Sequence, residues 1–271
     1  MTASKSIIKQ HVAFQPPTII ATWNVNSLKM RLPQVLNFLK NDRPDLLALQ
    51  ETKTPDECFP QAAIEALGYH VVFNGQRTYN GVATISKKPL HDILKDLPHT
   101  DPNQKRFLAT TIDALRIINL YVPNGASIDS DKYTYKLAWL EQLRQYLKEQ
   151  LALYQNIIIL GDFNIAPEDQ DVYDPIAWKG QVLVSDQERL ALKKILALGF
   201  SDTFRLFEQP PKSYSWWDYR QLGFQRNHGL RLDLILASKN LVSHCKTCTI
   251  DRALRKLEKP SDHAPVILTI E

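Results

Sequence analysis

The stretch from Ile157 to Asn164 places a strongly apolar run directly before a carboxylate and an amide. Four consecutive apolar residues, Ile157 to Leu160, are typical of a strand that is buried on both faces of a sheet. Because side chains alternate along an extended chain, we expect Asp162 and Asn164 to point the same way, with Phe163 turned into the packing. Such a pair can hold a metal, orient a water molecule or donate to a developing oxyanion, or it can be an ordinary polar turn.

Two other apolar strands end in the same way. Thr18 to Trp23 closes on Asn24-Val25-Asn26, and Leu46 to Leu49 closes on Gln50-Glu51-Thr52-Lys53. In layered α/β proteins the carboxyl ends of neighbouring strands gather into one ligand cleft. The recurrence therefore favours a shared site over three unrelated polar turns.

Hydrophobic periodicity predicts helices between these strands. Leu32 to Leu39 indicates a helix with Pro33 in its first turn, and the stripe from Tyr133 to Leu151 indicates a long helix capped by Ser130 or Asp131. Alternating or apolar runs predict further strands over Tyr69–Phe73, Gly81–Ser86, Arg106–Ile112, Arg116–Val122, Leu232–Ala237, Leu241–Ile250 and Val266–Ile270.

The composition permits a large globular core and excludes few functions. The chain has 271 residues, of which 44% are hydrophobic, enough for one large domain or two small ones. No apolar stretch approaches membrane-spanning length, and Met1 to Pro17 holds no apolar segment typical of a secretory signal. We therefore expect a soluble, cytoplasmic protein with no membrane partner. The net charge of +4 permits a polyanionic partner without requiring one.

Three cysteines are too few for a disulfide framework and indicate a reducing compartment. Cys245 and Cys248 form a Cys-x-x-Cys motif, which can be a zinc site, a redox site or two structural residues. A zinc site needs a second ligand pair, and a redox site needs the motif to begin a helix. Since the surrounding residues resemble a strand, we predict structural cysteines.

The adjacent residues Asp262 and His263 are candidates for a functional pair, although they can also be solvated surface. We group them with Glu51, Asp162 and Asp233 as candidates for one cleft. The chain has no Gly-x-Ser-x-Gly motif and no phosphate-cradling glycine loop, so covalent hydrolase and P-loop chemistry are not supported. Carboxylates, amides and one histidine favour metal-assisted hydrolysis with Mg²⁺ or Mn²⁺ rather than zinc.

An aromatic cluster from Tyr214 to Arg220 lies beside a basic loop that contains Arg226 and Arg231. Aromatic faces interleaved with basic side chains suit stacking on bases or sugars and contact with phosphates. The alternative is packing inside a sheet protein, which we expect for one of the two tryptophans, Trp216 or Trp217.

Five ordered motifs closely resemble the exonuclease III family of DNA-repair nucleases, which belongs to the endonuclease/exonuclease/phosphatase superfamily. The resemblance runs from about Thr18 to the C-terminus. The motifs are Trp23-Asn24-Val25-Asn26, Leu49-Gln50-Glu51-Thr52-Lys53, Leu160-Gly161-Asp162-Phe163-Asn164, Gly229-Leu230-Arg231-Leu232-Asp233 and Pro260-Ser261-Asp262-His263-Ala264-Pro265-Val266. This resemblance implies an α/β four-layer sandwich, in which two mixed β-sheets pack face to face and are flanked by helices. It also implies a single catalytic domain over residues 18–271 after an N-terminal tail of residues 1–17.

The resemblance further implies a divalent metal, Mg²⁺ or Mn²⁺, held mainly by Glu51. Asn24 or Asn26 and Asp262 would assist it. The full set of residues implied in metal binding is Asn24, Asn26, Glu51, Asp162, Asn164, Asp262 and His263.

The same resemblance implies catalytic roles for five residues. Asp162 would align or deprotonate the attacking water, while Asn164 and Tyr121 would hold the scissile phosphate. Asp233 would orient His263, which would act as a base, a phosphate donor or a second metal ligand.

The implied substrate is double-stranded DNA at abasic sites, nicks and 3′ ends, bound by a monomer. Trp216, Leu230 and Leu232 match an apolar pocket that admits a baseless deoxyribose and excludes a normal nucleotide by size. Asn124 matches a position that contacts DNA, and Arg226 is a further candidate for substrate binding.

The implied activities are incision 5′ to abasic sites, removal of 3′ phosphates and 3′ to 5′ exonuclease activity. Pro167–Ser185 varies within the family near this pocket, and its residues Tyr173, Trp178 and Lys179 could narrow the pocket. If they do, work on 3′ ends would dominate over incision at internal abasic sites. The alternatives are a small-molecule or lipid phosphatase of the same superfamily, and a DNA-binding module that has lost catalysis.

Overall fold

The structure, a computed structural model, describes residues 18–271, and the predicted tail of residues 1–17 lies outside this part. In chain order its strands are β1 Thr18–Asn24, β2 Leu46–Gln50, β3 His70–Asn74, β4 Val82–Ser86, β5 His91–Leu94, β6 Phe107–Ile112, β7 Leu115–Tyr121, β8 Asn156–Asp162, β9 Phe200–Asp202, β10 Trp216–Trp217, β11 Gly229–Leu230, β12 Asp233–Ser238, β13 Cys245–Ile250 and β14 Val266–Ile270. Its helices are α1 Leu28–Asn41, α2 Gln61–Glu65, α3 Asp131–Leu153, α4 Pro175–Trp178, α5 Asp186–Leu196, α6 Gly223–Arg226 and α7 Lys239–Val242.

Twelve of the strands form two mixed sheets of six. The first sheet has the order β13-β14-β1-β2-β4-β3, and the second has the order β5-β6-β7-β8-β12-β9. Each sheet contains one parallel pair, β1 with β2 and β7 with β8, among antiparallel neighbours. The two remaining short strands, β10 and β11, pair with each other.

Three apolar layers hold four layers of secondary structure together. Phe38 belongs to the layer between the first sheet and the helices α1 and α2. Leu46 and Ile158 lie in the layer between the two sheets. Leu143 and Ile195 belong to the layer between the second sheet and the helices α3 and α5. The predicted four-layer sandwich is therefore confirmed.

Strand β8 is buried on both faces, as its apolar run predicts. Ile157 and Ile159 pack toward the outer helices, whereas Ile158 and Leu160 pack between the sheets. All four are 0% exposed. This alternation follows from the two-residue period of an extended chain, and it places the polar end of β8 at the sandwich edge.

Some local predictions need correction. Helix α1 begins four residues before Leu32, so Pro33 lies inside the helix rather than in its first turn. Leu241, predicted in a strand, lies in α7, and β13 begins only at Cys245. Strand β5 has three exposed residues and was not predicted, because an edge strand of this kind lacks the apolar alternation that marks a buried one.

Ser130 caps α3, since its side chain accepts a hydrogen bond from the backbone N–H of Tyr133. Cys245 and Cys248 are buried and free, and both lie on β13 in the layer between the sheets, in agreement with the structural prediction. Among residues 18–271, no helix combines the length and the apolar character that a membrane crossing requires.

Candidate active site

The carboxyl ends of both parallel strand pairs meet at one edge of the sandwich. Asn24 ends β1, and Glu51 directly follows the neighbouring strand β2. In the second sheet, Tyr121 at the end of β7 lies opposite Asp162 at the end of β8. Strand β12 runs antiparallel to β8, so that its first residue, Asp233, also lies opposite Asp162. The topology therefore gathers these five side chains, as the recurrence of polar strand ends predicted.

The amide of Asn24 joins the two sheets across this edge. Its Nδ2 donates to Oε1 of Glu51 at 2.9 Å and to Oδ2 of Asp162 at 2.9 Å. Because both protons of the amide are used, the two carboxylates are held in defined positions on either side of it.

A second group of hydrogen bonds ties the loop before β14 to the first sheet. Asn26 Nδ2 donates to Asp262 Oδ1 at 3.0 Å, and Trp216 Nε1 donates to Asp262 Oδ2 at 3.1 Å. The ammonium of Lys53 lies 2.9 Å from Glu51 Oε2 and 2.6 Å from Asn26 Oδ1. The oxygens of Glu51 and Asn26 thus already face a common positive charge.

This donor set fits a hard divalent cation. Glu51, Asn26 and Asp262 offer oxygen atoms, which are the ligands that Mg²⁺ and Mn²⁺ prefer over soft or nitrogen donors. Zinc sites, in contrast, usually include cysteine or histidine. The cation chemistry expected from the sequence is therefore compatible with the side chains present at this edge.

Several residues at the edge hold left-handed backbone conformations that side chains other than glycine rarely adopt. The φ angles are 42° at Asn26, 88° at Ser27, 50° at Glu51, 51° at Lys53 and 50° at Asn164. Strain of this kind is of order 1–3 kcal/mol per residue and tends to collect at functional sites. Backbone hydrogen bonds such as Ser27 N to Glu51 O, at 2.8 Å, hold two of these residues in place.

His263 lies buried between two carboxylates. Its Nδ1 is 2.8 Å from Asp233 Oδ2, and its Nε2 is 3.7 Å from Asp162 Oδ2. Within the described residues, Asp162, Asp233 and His263 form a cluster that could hold a metal ion, with ligand atoms within 4.8 Å of one another. The Asp233 contact leaves Nε2 as the nitrogen that faces Asp162.

Burial and charge shift the pKa values of this cluster. Burial alone would lower the pKa of His263, but the charges of Asp233 and Asp162 raise it to about 10. Burial raises the pKa of Asp162 to about 7, because the positive charge of His263 offsets only part of the desolvation. These charges therefore favour the imidazolium form of His263 near neutral pH.

The pKa values of Glu51 and Tyr121 are shifted in opposite directions. Burial raises the pKa of Glu51, but the charge of Lys53 and the hydrogen bond from Asn24 bring it below its ordinary value. Burial and the nearby charge of Glu51 raise the pKa of Tyr121 well above the ordinary value. Glu51 is thus an anion and Tyr121 a neutral phenol at neutral pH.

Asn164 and Asn124 lie next to each other beside Asp162. Asn124 Nδ2 donates to Asn164 Oδ1 at 3.1 Å, and Asn164 Nδ2 donates to the carbonyl of Val122 at 2.9 Å. The backbone N–H of Asn164 donates to Asp162 Oδ1 at 2.9 Å. Phe163 is 0% exposed in the outer core, so its predicted burial in the packing is confirmed.

The predicted apolar pocket is covered by the segment Pro167–Ser185. Leu230 is 0% exposed and Leu232 is 2% exposed, and both pack with Val172 of this segment. Trp216 is partly buried against the same cluster. In this conformation the two leucines therefore lie beneath protein rather than in an open slot.

A buried ion-pair network fixes this covering segment. Arg231 is 1% exposed, and its Nε and Nη2 lie 2.6 Å from Asp171 and 2.7 Å from Asp202, respectively. Arg205 also pairs with Asp171, a residue of the segment. The segment is therefore anchored to the short connection between β11 and β12, which carries Leu232 and leads into Asp233.

The structure does not join every predicted residue to this edge. Arg226 is exposed at the end of α6, and no contact within residues 18–271 connects it to the carboxylates. Its role in substrate binding stays a prediction.

Two residues that contact the site were not assigned roles from the sequence. Lys53 stands inside a quoted motif, but the pattern alone does not reveal that its ammonium pairs with Glu51. Lys136 lies within the apolar stripe of α3, yet it is 0% exposed and reaches the carbonyl of Asn164. A lysine on the apolar face of a helix is the signal that could have identified it.

Known proteins with similar sequences include nucleases and related phosphoryl-transfer enzymes, which is consistent with the geometry of this edge. Residues 21–263 match the profile of the Endonuclease/Exonuclease/phosphatase family. Exodeoxyribonuclease III of Haemophilus influenzae is 35% identical over 258 residues, which cover 90% of this chain and 97% of that protein.

Solved structures agree as well. A 3′ phosphatase from Neisseria, bound to a product DNA hairpin, has a TM-score of 0.92 and 42% identity over 94% of this chain and 99% of its own. An AP endonuclease from Archaeoglobus fulgidus has a TM-score of 0.90 and 39% identity over 94% of this chain and 99% of its own. The chain therefore belongs to the exonuclease III branch of the endonuclease/exonuclease/phosphatase family.

Proposed function

We propose that this protein is a DNA-repair phosphodiesterase that depends on Mg²⁺ or Mn²⁺ and acts on double-stranded DNA. The observation that carries the proposal is the convergence of Glu51, Asp162 and His263 at one edge, with Asn24 joining the two carboxylates. Removal of a 3′ phosphate, 3′ to 5′ exonuclease activity and incision 5′ to an abasic site all break a bond between phosphorus and a 3′ oxygen. One site can therefore serve all three activities.

In the proposed reaction, Asp162 orients a water molecule and accepts its proton as the water oxygen bonds to phosphorus. The bond from phosphorus to the leaving 3′ oxygen breaks in the same step, and this oxygen takes up a proton from solvent to become the 3′ hydroxyl. The raised pKa of Asp162 suits this role, since a base is most effective when its pKa lies near the working pH.

The groups around the phosphate stabilise the charge that grows on it. His263, held as an imidazolium by Asp233, donates from Nε2 to a phosphate oxygen. Tyr121 and Asn164 add neutral donors, and such preorganised donors act strongly where water is excluded. This assignment favours His263 as a donor over the base and metal-ligand roles.

We propose that the metal is held by Glu51 with Asn24 or Asn26 and Asp262. The ion, when bound, would supply positive charge to the phosphate oxygens as a Lewis acid. The ammonium of Lys53 balances the charge of Glu51.

Among the three activities, we propose that processing of 3′ ends dominates. Leu230 and Leu232, the residues proposed to receive an abasic sugar, are covered by Val172 and its neighbours. Tyr173 packs against the same cluster and stacks its ring on that of His228 with centroids 4.5 Å apart, and we propose that it narrows the approach to the pocket further. The similarity to the Neisseria 3′ phosphatase supports the same ranking, whereas the similarity to the Archaeoglobus AP endonuclease keeps abasic incision as the second activity.

We also propose that residues 18–271 act as one domain, in monomeric form. The site draws Glu51 from the first sheet and Asp162 from the second, so neither sheet can provide it alone.

A side-by-side assay tests the function. Duplexes with a 3′ phosphate, a plain recessed 3′ end and an internal abasic site are incubated with Mg²⁺ or with a chelator. We expect the rate to be highest on the 3′ phosphate, and we expect each activity to disappear with chelator and in Asp162→Asn. Turnover of inositol phosphates without turnover of any duplex would instead favour the small-molecule phosphatase alternative.

A further inference from the structure

A buried ion pair lies directly behind the proposed phosphate-binding asparagines. Lys136 on α3 and Glu188 on α5 are both 0% exposed, and Lys136 Nζ lies 2.5 Å from Glu188 Oε1. The same ammonium donates to the backbone carbonyls of Asn164 at 2.6 Å and Asn124 at 3.1 Å. An ammonium has three protons, so these three contacts use its full donor capacity.

The carboxylate of Glu188 faces the other way, toward the end of the covering segment Pro167–Ser185. Its Oε1 accepts from the backbone N–H of Leu183 at 3.0 Å, and its Oε2 accepts from the backbone N–H of Ser185 at 3.0 Å. The hydroxyl of Ser185 donates to the same Oε2 at 2.6 Å. Leu183 belongs to the apolar cluster that covers Leu230.

We propose that Lys136 and Glu188 are positioning residues that fix the phosphate-binding asparagines and the wall of the substrate pocket relative to each other. The inference rests on the proposed function, because it assigns a purpose to loops that hold the phosphate and the 3′ end. Lys136 fixes the loops after β7 and β8, and Glu188 fixes the chain just before α5.

The energetic cost of burying the Lys136–Glu188 ion pair indicates that the pair positions the loops rather than merely stabilising the fold. Taking two charges out of water is costly, and a well-packed apolar pair of similar volume often stabilises a fold equally well. An apolar pair cannot, however, donate to the carbonyls of Asn124 and Asn164 or accept from Leu183 and Ser185. The pair therefore supplies directional contacts that the fold alone does not require.

The position of these loops matters because catalysis is sensitive to small displacements. A shift of about 1 Å in a group that holds the reacting atoms can cost roughly a hundredfold in rate. Asn164 is especially sensitive to such a shift, since its backbone has a φ of 50°, which side chains other than glycine rarely adopt. Its carbonyl accepts from Lys136, while its N–H donates to Asp162.

The first test replaces the pair by apolar residues in the full chain, as Lys136→Met with Glu188→Leu. On a duplex with a 3′ phosphate at saturating Mg²⁺, we expect kcat to fall by roughly tenfold to a hundredfold while KM changes by less than about threefold. The matched control is Arg116→Met. Arg116 is likewise buried and donates to the carbonyl of Asp92, but it lies at the opposite end of β7 from Tyr121. We expect this control to lower the melting temperature without lowering kcat.

A single substitution, Glu188→Gln, tests the other half of the pair and keeps the shape of the side chain. Its amide nitrogen cannot accept from Leu183 or Ser185, so we expect the pocket wall to loosen. The rate of abasic-site incision should then rise relative to the rate of 3′-phosphate removal. A ratio equal to that of the unmodified protein would overturn the proposed role of Glu188.

The outcomes distinguish this inference from the proposed function. If the unmodified protein cleaves the 3′-phosphate duplex and the apolar double variant does so with the same kcat, the positioning role of Lys136 is wrong and the function stands. A loss of kcat in Arg116→Met equal to that in the double variant would also overturn it, since stability alone would explain both. If the unmodified protein cleaves no duplex, the function and the inference both fail.

Discussion

At the residue scale, the environment of His263 shows how burial and charge together set a protonation state. The imidazole is 4% exposed, so desolvation by itself disfavours its charged form. Two carboxylates reverse this effect, and Asp233 is the nearer of them at 2.8 Å. The charged state of His263 is thus a property of its neighbours rather than of its position in the sequence.

This environment predicts a dependence of stability on pH in the metal-free protein. The pKa of His263 is raised from 6.5 to about 10. Its contribution to the stability of the folded protein is therefore complete below about pH 6.5 and is lost as the pH rises toward 10. Burial likewise raises the pKa of Asp162 from 3.8 to about 7, so its contribution is lost as the pH rises from about 4 to 7 and changes little above that. Burial raises the pKa of Cys245 to about 11 and that of Cys248 to about 12, so both cysteines add to the loss only from about pH 9 upward. We expect the free energy of unfolding to fall between about pH 7 and 9.

Urea titrations with chelator at pH 7, 8 and 9 measure this fall. In Asp233→Asn the largest source of the raised pKa is removed, so the decrease should be smaller. An equal decrease in both proteins would contradict the assignment of Asp233.

The second prediction at this scale concerns Glu51. We expect Glu51→Gln to raise the Mg²⁺ concentration needed for half-maximal activity by about tenfold or more, because one anionic ligand is lost. Metal titrations of the 3′-phosphatase rate measure it. The matched control is Lys53→Met, which leaves the carboxylate and removes the ammonium that pairs with it. This control should need no more Mg²⁺ than the unmodified protein, and an unchanged midpoint in Glu51→Gln would refute the ligand assignment.

At the element scale, the approach of β8 to β7 depends on one glycine. Gly161 has a φ of 141°, and a Cβ added there would collide with the backbone carbonyl of Leu120 on β7. The collision is with backbone near the carboxyl end of a parallel pair, so no side-chain rotation can relieve it. Since Asp162 follows directly, the same approach places its carboxylate opposite Tyr121.

We therefore predict that Gly161→Ala destabilises the protein far more than Gly199→Ala. Gly199 also has a positive φ, of 109°, but an added Cβ would meet no atom within 4 Å. Its substitution should cost only backbone strain, about 1–3 kcal/mol, whereas Gly161→Ala must also displace a strand. Free energies of unfolding from urea titrations compare the two, and equal losses would show that the contact with Leu120 is unimportant.

At the scale of the whole molecule, the proposed substrate is a polyanion and the chain has a net charge of +4. Contacts with phosphates release counterions, so affinity for duplex DNA should fall steeply as salt increases. We predict a loss of roughly tenfold or more in affinity between about 50 and 200 mM salt, measured by fluorescence anisotropy with a 3′-recessed duplex and Asp162→Asn. An affinity that does not depend on salt would argue against a duplex substrate.

The sequence by itself determined most of the fold and the members of the site. Apolar runs such as Ile157–Leu160 can be satisfied only by burial on both faces, and the polar residues that end them must then lie at a sheet edge. These are local patterns, and local patterns are readable without coordinates. Asn24, Glu51 and Asp162 each stand at or just after the end of such a run, so the local pattern alone predicts that they lie at one edge.

Only the tertiary structure decided which atoms meet across elements that are distant in the chain. Asn24 bridges Glu51 and Asp162, Lys136 reaches Asn164 from α3, and the segment Pro167–Ser185 closes over the pocket leucines. These contacts depend on sheet register and helix packing, which arise from the whole core at once and leave no local pattern. For the same reason, the charge of His263 could not be read from the sequence, because it depends on carboxylates that only the folded chain brings beside it.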